Sequence, residues 1–173
     1  MPAHAPRSRV RLRPGRPGDL DALLALESKA FLTDHLSRRS FRNFMTSLNA
    51  ALIVAEESGQ LAGYALVLFR PRSKIARLYS IAAAVAGRGI GPMLLQASED
   101  VAVRRACGTL RLEVHEKNAA AIRRYRKSGY LLFGRHLAYY DDRGDALRFE
   151  KRIGAQQSTG RKDSSSPAPS VAR

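Results

Sequence analysis

Between Arg77 and Tyr130 the chain alternates strand-like and helix-like stretches, and it joins the first pair through a glycine loop. A β-like segment, Ile75 to Ile81, runs into a loop holding Gly87, Gly89 and Gly91. A helical pattern from Met93 to Ala106 follows at once, with Pro92 at a tolerated first position. Leu110, Leu112 and Val114 then alternate with Arg111 and Glu113, so the apolar and charged side chains face opposite sides of a strand. A second helix opens at Asn118, carries Tyr125 two turns in and is ended by Gly129. A glycine loop feeding a helix start exposes unpaired N–H groups and the positive end of the helix dipole. That is a place for an anion, most often a phosphate. An acid and a phenol delivered nearby by the next strand and helix can handle protons.

The flanking segments complete a layered fold. Val10 and Leu12 alternate with arginines as a first strand does. Asp19 begins a helical run in which Leu23, Leu24 and Phe31 form the apolar stripe, and its carboxylate can meet free N–H groups there. Phe41, Phe44, Met45 and Leu48 fall at helical spacing within Ser37 to Leu48. Leu52 to Ala55 and Leu61 to Phe69 read as strands joined by a turn at Glu57-Ser58-Gly59-Gln60, and Tyr130 to Ala138 and Ala146 to Lys151 as the last two strands. The order β α α β β β α β α β β predicts an α/β (α+β) fold, a mixed sheet with helices on both faces. Residues 9–153 read as one domain, 1–8 as a loose terminus, and 154–173, poor in large apolar residues and rich in Ser, Pro and Ala, as a disordered tail.

Composition narrows the function classes. No apolar run approaches the ~18 residues of a membrane span, and the first residues lack the apolar centre of a secretory signal, so the expected location is the cytoplasm. The lone Cys107 excludes an internal disulfide and reads as an idle thiol. His4, His35, His115 and His136 are scattered without metal spacing. The net charge of +15 favours anionic ligands and permits nonspecific nucleic-acid contact. An arginine-rich, GC-biased genome gives the same count with no functional meaning.

Spacing tests the loop against two named phosphate motifs. A Walker A loop needs GxxxxGK[ST], and no lysine follows here. A Rossmann GxGxxG finds its first two glycines in Gly89 and Gly91 but meets Leu94 at the third, and the loop lies mid-chain rather than opening the domain. Taken singly, Glu113 reads equally as a salt-bridged strand residue, Asn118 as an ordinary N-cap and Tyr125 as a packing aromatic.

The combined string LEVHEKNAAAIRRYRKSGY, preceded by GRGIG, resembles the GNAT superfamily of acyl-CoA N-acyltransferases. It is most similar to the ribosomal-protein alanine N-acetyltransferase branch, whose usual form is LEV, a few residues, then NxxAxxLYxxxGF. Ala30-Phe31 through Leu36-Ser37, and Tyr139-Tyr140 followed by Asp145-Ala146, fit that branch as well. The resemblance spans about Val10 to Arg152 and implies a mostly antiparallel central sheet of about seven strands. It implies that the strand Tyr79 to Ala83, splayed from its neighbour, binds the pantetheine arm and acetyl carbonyl of acetyl-CoA through Ile81, Ala82 and Ala83. It implies further that Gly87, Arg88, Gly89, Ile90 and Gly91 hold the pyrophosphate, that Asn118 contacts the cofactor, that Glu113 is the general base and that Tyr125 is the general acid. The chain departs from the family pattern at Ala86, where Gln or Arg is usual, in a shorter stretch from Ile81 to Gly89, and at Pro92, which has no N–H to offer a phosphate.

The implied reaction moves an acetyl group from acetyl-CoA to a protein N-terminal α-amine, with a ribosomal protein as the expected partner. A neutral-pH amine is mostly protonated and needs a base, and a departing thiolate benefits from an acid. The residues leave two alternatives open. One is a small-amine acceptor such as a polyamine or aminoglycoside, which an acidic cluster drawn from Asp141, Asp142 and Asp145 would favour. The other is a non-catalytic basic module that touches RNA or ribosomes.

Overall fold

The structure is a computed structural model that describes residues 9–154. The readings of 1–8 as a loose terminus and of the tail beyond 154 lie outside the described residues. Seven strands form one sheet in the order β1-β2-β3-β4-β5-β7-β6. They are β1 Arg11–Pro14, β2 Ala50–Glu57, β3 Gln60–Leu68, β4 Ile75–Ala83, β5 Thr109–His115, β6 Leu131–His136 and β7 Ala146–Arg152. Only β4 and β5 pair in parallel. The helix between them supplies the crossover that a parallel pair requires.

Helices cover both faces, as expected. α1 (Leu20–Ala30) and α2 (Arg38–Thr46) bury Leu23, Leu26 and Phe41 against Leu52, Val54, Tyr64 and Leu66. α3 (Ile90–Arg104) and α4 (Ala119–Lys127) bury Ile90, Leu94, Ala102 and Tyr125 against Ala65, Val67, Leu110, Leu112 and Phe149 on the other face. Alternate residues of each strand therefore feed two separate cores, the period-2 rule read from the sequence. The tight turn between β2 and β3 uses Ser58 and Gly59 at φ 52° and 77°, the left-handed pair that suits a hairpin twist. Gly129 ends α4 at φ 88°.

Four local expectations need correction. α3 starts at Ile90, not Met93, so Pro92 occupies the third helical position rather than the first. The site still tolerates proline, because the N–H there is one of the helix's unpaired donors. Leu48 lies beyond α2 and is 86% exposed. Leu24 is only partly buried, and Leu20 and Leu26 join Leu23 in the core instead. Asp19 gives no side-chain cap to α1; its carboxylate takes the Arg16 N–H at 2.9 Å and a two-point ion pair from Arg13, at 2.7 and 2.8 Å. That pair holds Asp19 well below the usual carboxylate range.

Two features of β4 place the candidate site. Its ladder with β5 runs only from Ile75–Thr109 to Leu78–Leu112, so Tyr79–Ala83 parts from Glu113–His115. Its ladder with β3 slips one residue between Leu78 and Ser80. This bulge leaves Tyr79 unpaired and bends the strand away. The face carrying α1 and α2 is helix-covered over β2 to β4. At Arg77 of β4 and onward over β5 to β7 it presents Arg77, Arg111, Glu113, Phe133 and Arg148, away from the α1–α2 core.

Candidate acetyl-transfer cleft

The split between β4 and β5 opens toward the glycine loop, and the loop turns directly into α3. Gly87 and Gly89 both sit at φ 78°, a region costly for a side chain, and a Cβ built on either would meet nothing within 4 Å. The loop surface is therefore open. The Met93 N–H already donates to the Gly89 carbonyl at 3.2 Å. Helix geometry leaves the N–H groups of Ile90 and Gly91 without intrahelical acceptors, and Pro92 contributes none. A diphosphate fits this cradle, with fewer amides than an uninterrupted helix start offers.

Two arginines stand at the loop. The Arg88 guanidinium pairs with Glu57 at 2.7 Å. Arg124, on α4, takes the position over Gly91: a Cβ there would stand 3.3 Å from its Nη1. Arg124 has no ion-pair partner among the described residues, and its charge pulls against the upward shift of the neighbouring Tyr125 phenol. The family form NxxAxxLY has an apolar residue at this position. The arginine was legible as a departure, but its reach across to α3 was not. Gly63 of β3 serves the same corner. A Cβ on it would lie 2.8 Å from the Ala82 carbonyl and 2.9 Å from side-chain atoms of Ile90 and Leu94, so glycine lets the start of α3 close onto the sheet.

Glu113 and Tyr125 approach the split from opposite faces. Glu113 projects with Arg77 and Arg148 on the open face. Its Oε2 accepts from Arg77 Nε at 2.9 Å, while Oε1 stands 3.7 Å from Arg148 Nε, beyond hydrogen-bonding distance. Arg77 in turn donates to the Tyr139 hydroxyl at 2.9 Å. Tyr125 is buried in the core under α4, edge-on to Tyr130 at 5.8 Å between ring centres. Burial pushes its phenol up to about 12. Its hydroxyl makes no hydrogen bond among the described residues and is not fully enclosed. Asn118 caps α4, its Oδ1 accepting from Ala121 N at 3.1 Å. The amide nitrogen remains for a ligand.

Tyr140 links the two. Burial pushes its hydroxyl up to about 12, with added electrostatic pressure from Tyr139, Glu113, Asp34 and Tyr125. One phenol thus feels both Glu113 and Tyr125. Its ring stacks on His115 at 4.8 Å. His115 accepts from the Lys117 N–H through Nδ1, so in the neutral ring Nε2 carries the proton and donates to Asp142 at 2.9 Å. This clamp holds the segment between β6 and β7 against the open face. Asp34 and Asp141 bring two carboxyl groups together at the rim; their mutual hydrogen bond and repulsion raise Asp141 above the usual carboxylate range.

Beneath the rim, buried Glu27 of α1 accepts from Leu36 N at 2.9 Å and from the Tyr64 hydroxyl. That hydroxyl also lies 2.7 Å from Ser80 Oγ, beside the bulge. The network ties the link between α1 and α2 to the bent strand. Nothing local marks it, because its members are far apart in the chain.

A parallel pair that separates beside a bulge, with a glycine loop and helix start at its mouth, defines an acyl-CoA transferase cleft. The chain belongs to the Acetyltransferase (GNAT) family, whose model matches residues 20–130, and this family uses acetyl-CoA as acetyl donor. Streptothricin acetyltransferase of Streptomyces lavendulae is 37% identical over 84 residues, which cover 47% of this chain and 44% of that protein. The chain therefore matches under half the length of that curated relative. A ribosomal-protein alanine N-acetyltransferase from Escherichia coli superposes with a TM-score of 0.75 at 25% identity, over 88% of this chain and 99% of that one. Nourseothricin acetyltransferase superposes with a TM-score of 0.70 at 26% identity, over 84% and 99%. Among the described residues no helix is long and apolar enough to cross a membrane.

Proposed function

We propose that the chain transfers acetyl from acetyl-CoA to a protein N-terminal α-amine, by direct attack of the amine. The observation that carries the reading is the parting of β4 from β5 beyond Leu78–Leu112, next to Glu113 and at the mouth of the glycine loop. Acetyl-CoA supplies the activated thioester. Ile81, Ala82 and Ala83 offer it the free edge of β4; Gly87 to Gly91 and Arg124 hold its diphosphate; Asn118 contacts it through its amide nitrogen. Arg77 fixes Oε2 of Glu113, leaving Oε1 to take the amine proton, directly or through water. Arg77 and Arg148 also disfavour a second positive charge beside Glu113, which favours the free amine.

Tyr125 completes the set. A phenol at about 12 surrenders its proton to a thiolate of ordinary basicity, about 8.5, only uphill. Tyr125 therefore acts by donating a hydrogen bond to the departing sulfur while keeping its own proton; the thiolate then takes up the proton the amine released, from Glu113 or through solvent. Tyr139 and Tyr140, on the clamped segment, suit the backbone of an extended peptide end. The likeness to the ribosomal-protein enzyme supports that acceptor.

A second reading has its own observation. The Asp34–Asp141 carboxyl pair at the rim favours a polycationic small amine, and the likeness to streptothricin and nourseothricin acetyltransferases runs the same way. Turnover measured side by side on an Ala-initiated peptide, its N-blocked form and a streptothricin-class amine separates them. The peptide reading expects kcat/KM highest for the free N-terminus and none for the blocked peptide. Preference for the small amine would transfer the assignment to the second reading.

A further inference from the structure

A second concavity lies at the opposite end of the sheet. The link from β3 to β4 and the end of α3 enclose a pocket of about 280 Å³, lined by Phe69, Arg70, Arg72, Lys74, Arg105 and Cys107, with Asn49, Pro71 and Ser73 completing the wall. β4 runs nine residues from this link toward the glycine loop. At about 3.3 Å per residue the pocket is therefore roughly 25 Å from the acetyl-transfer cleft.

Four cationic side chains line this pocket and no carboxylate does. None of the four has an ion-pair partner among the described residues. Elsewhere the chain neutralises arginines readily: Arg13, Arg77, Arg88, Arg111 and Arg135 each hold a carboxylate within 3.0 Å. Like charges gathered around one open hollow repel at low ionic strength, and an anion bound among them relieves that repulsion.

The backbone around them is fixed. The Lys74 carbonyl accepts from Gly108 at 2.8 Å and Thr109 at 3.2 Å, and Ser73 N–H donates to the Arg70 carbonyl at 3.1 Å. Arg105 is held at 2.5 Å by the Leu48 carbonyl and lies over the Phe69 ring at 4.7 Å. The link thus presents Arg70, Arg72 and Lys74 on a braced turn, facing a braced Arg105.

We propose that this pocket binds a phosphate-class anion, held by Arg70, Arg72, Lys74 and Arg105. Planar guanidinium forks match phosphate oxygens two at a time, and a multiply charged group answers several cations at once. The phosphate comes either from a free polyphosphate or from the backbone of RNA, and the two sources are separable.

The test is amide NMR of the full chain at low ionic strength. One arm titrates inorganic pyrophosphate and the other a single-stranded RNA oligonucleotide lacking terminal phosphates. The comparison variant is Arg72→Asn with Lys74→Gln; asparagine tolerates the left-handed φ of 62° at position 72. Saturable shifts are expected at residues 70–74 and 105–108, with affinity falling about tenfold or more in the variant. Its spectrum elsewhere and its acetyl-CoA turnover should stay as in the parent chain. Saturation by pyrophosphate alone identifies a free anion, and saturation of the same amides by RNA identifies a backbone phosphate. Shifts confined to Gly87–Gly91, shifts spread evenly without saturation, or unchanged affinity in the variant would overturn the proposal. This outcome is independent of the acceptor assigned to the cleft.

Discussion

Arg124→Leu restores the apolar residue of the family form and removes the cation that overlies Gly91. A charge-assisted contact to a phosphate contributes about 1.5–3 kcal/mol when well shielded. Arg124 is exposed, so solvent screening reduces this to about 1 kcal/mol. The dissociation constant for acetyl-CoA should therefore rise about fivefold. Because Arg124 carries no ion pair within the fold, the melting temperature should stay within about a degree or two of the parent. The turnover number at saturating acetyl-CoA should hold, since the contact is remote from the reacting carbonyl. Calorimetric titration at two ionic strengths reads all of this: the parent's affinity should weaken with salt more steeply than the variant's. Equal affinities at low salt would refute the assignment of Arg124 to the diphosphate. A variant with normal affinity but depressed turnover would refute it as well, by moving the residue's role to the chemistry.

Glu113→Gln should lower turnover by about two orders of magnitude, the usual scale for a positioned base. The loss should be largest at low pH, where fewer acceptor amines are free; a flat ratio to the parent across pH would exclude Glu113 as base. Tyr125→Phe should slow turnover with little change in acetyl-CoA affinity. A phenol held at about 12 stays protonated through the working range, so the parent's rate should show no falling limb from this group below about pH 11. Gly63→Ala drives a methyl into the Ala82 carbonyl, Ile90 and Leu94. Denaturant melts should show a loss of about 1–3 kcal/mol, and titration a weaker grip on acetyl-CoA as the start of α3 lifts from the sheet.

The legible parts of this chain were those whose cause is local. Apolar alternation located every strand, and the run from Arg77 to Tyr130 placed the loop, the acid and the phenol in one unit because each is fixed by its own strand or helix. Helix starts were less legible. Gly89 enters a left-handed conformation and begins α3 three residues before the apolar pattern at Met93 announces it. Leu48 continued a helical spacing that the backbone had already left. The contacts around the candidate site that escaped the sequence are long-range: Arg124 of α4 reaches Gly91 of α3, Asp34 meets Asp141 across more than a hundred residues, and Glu27 meets Ser80 through Tyr64. No window of sequence holds both ends of such a contact. The parting of β4 and β5 depends likewise on a register slip against β3, which side-chain pattern does not encode.

The most direct measurement is a crystal structure of the chain with acetyl-CoA. The account predicts the pantetheine arm along Ile81 to Ala83, the diphosphate at Gly87 to Gly91 beneath Arg124, and the sulfur within hydrogen-bond reach of the Tyr125 hydroxyl. A cofactor lodged elsewhere, or one whose thioester lies away from Glu113 and Tyr125, would contradict it.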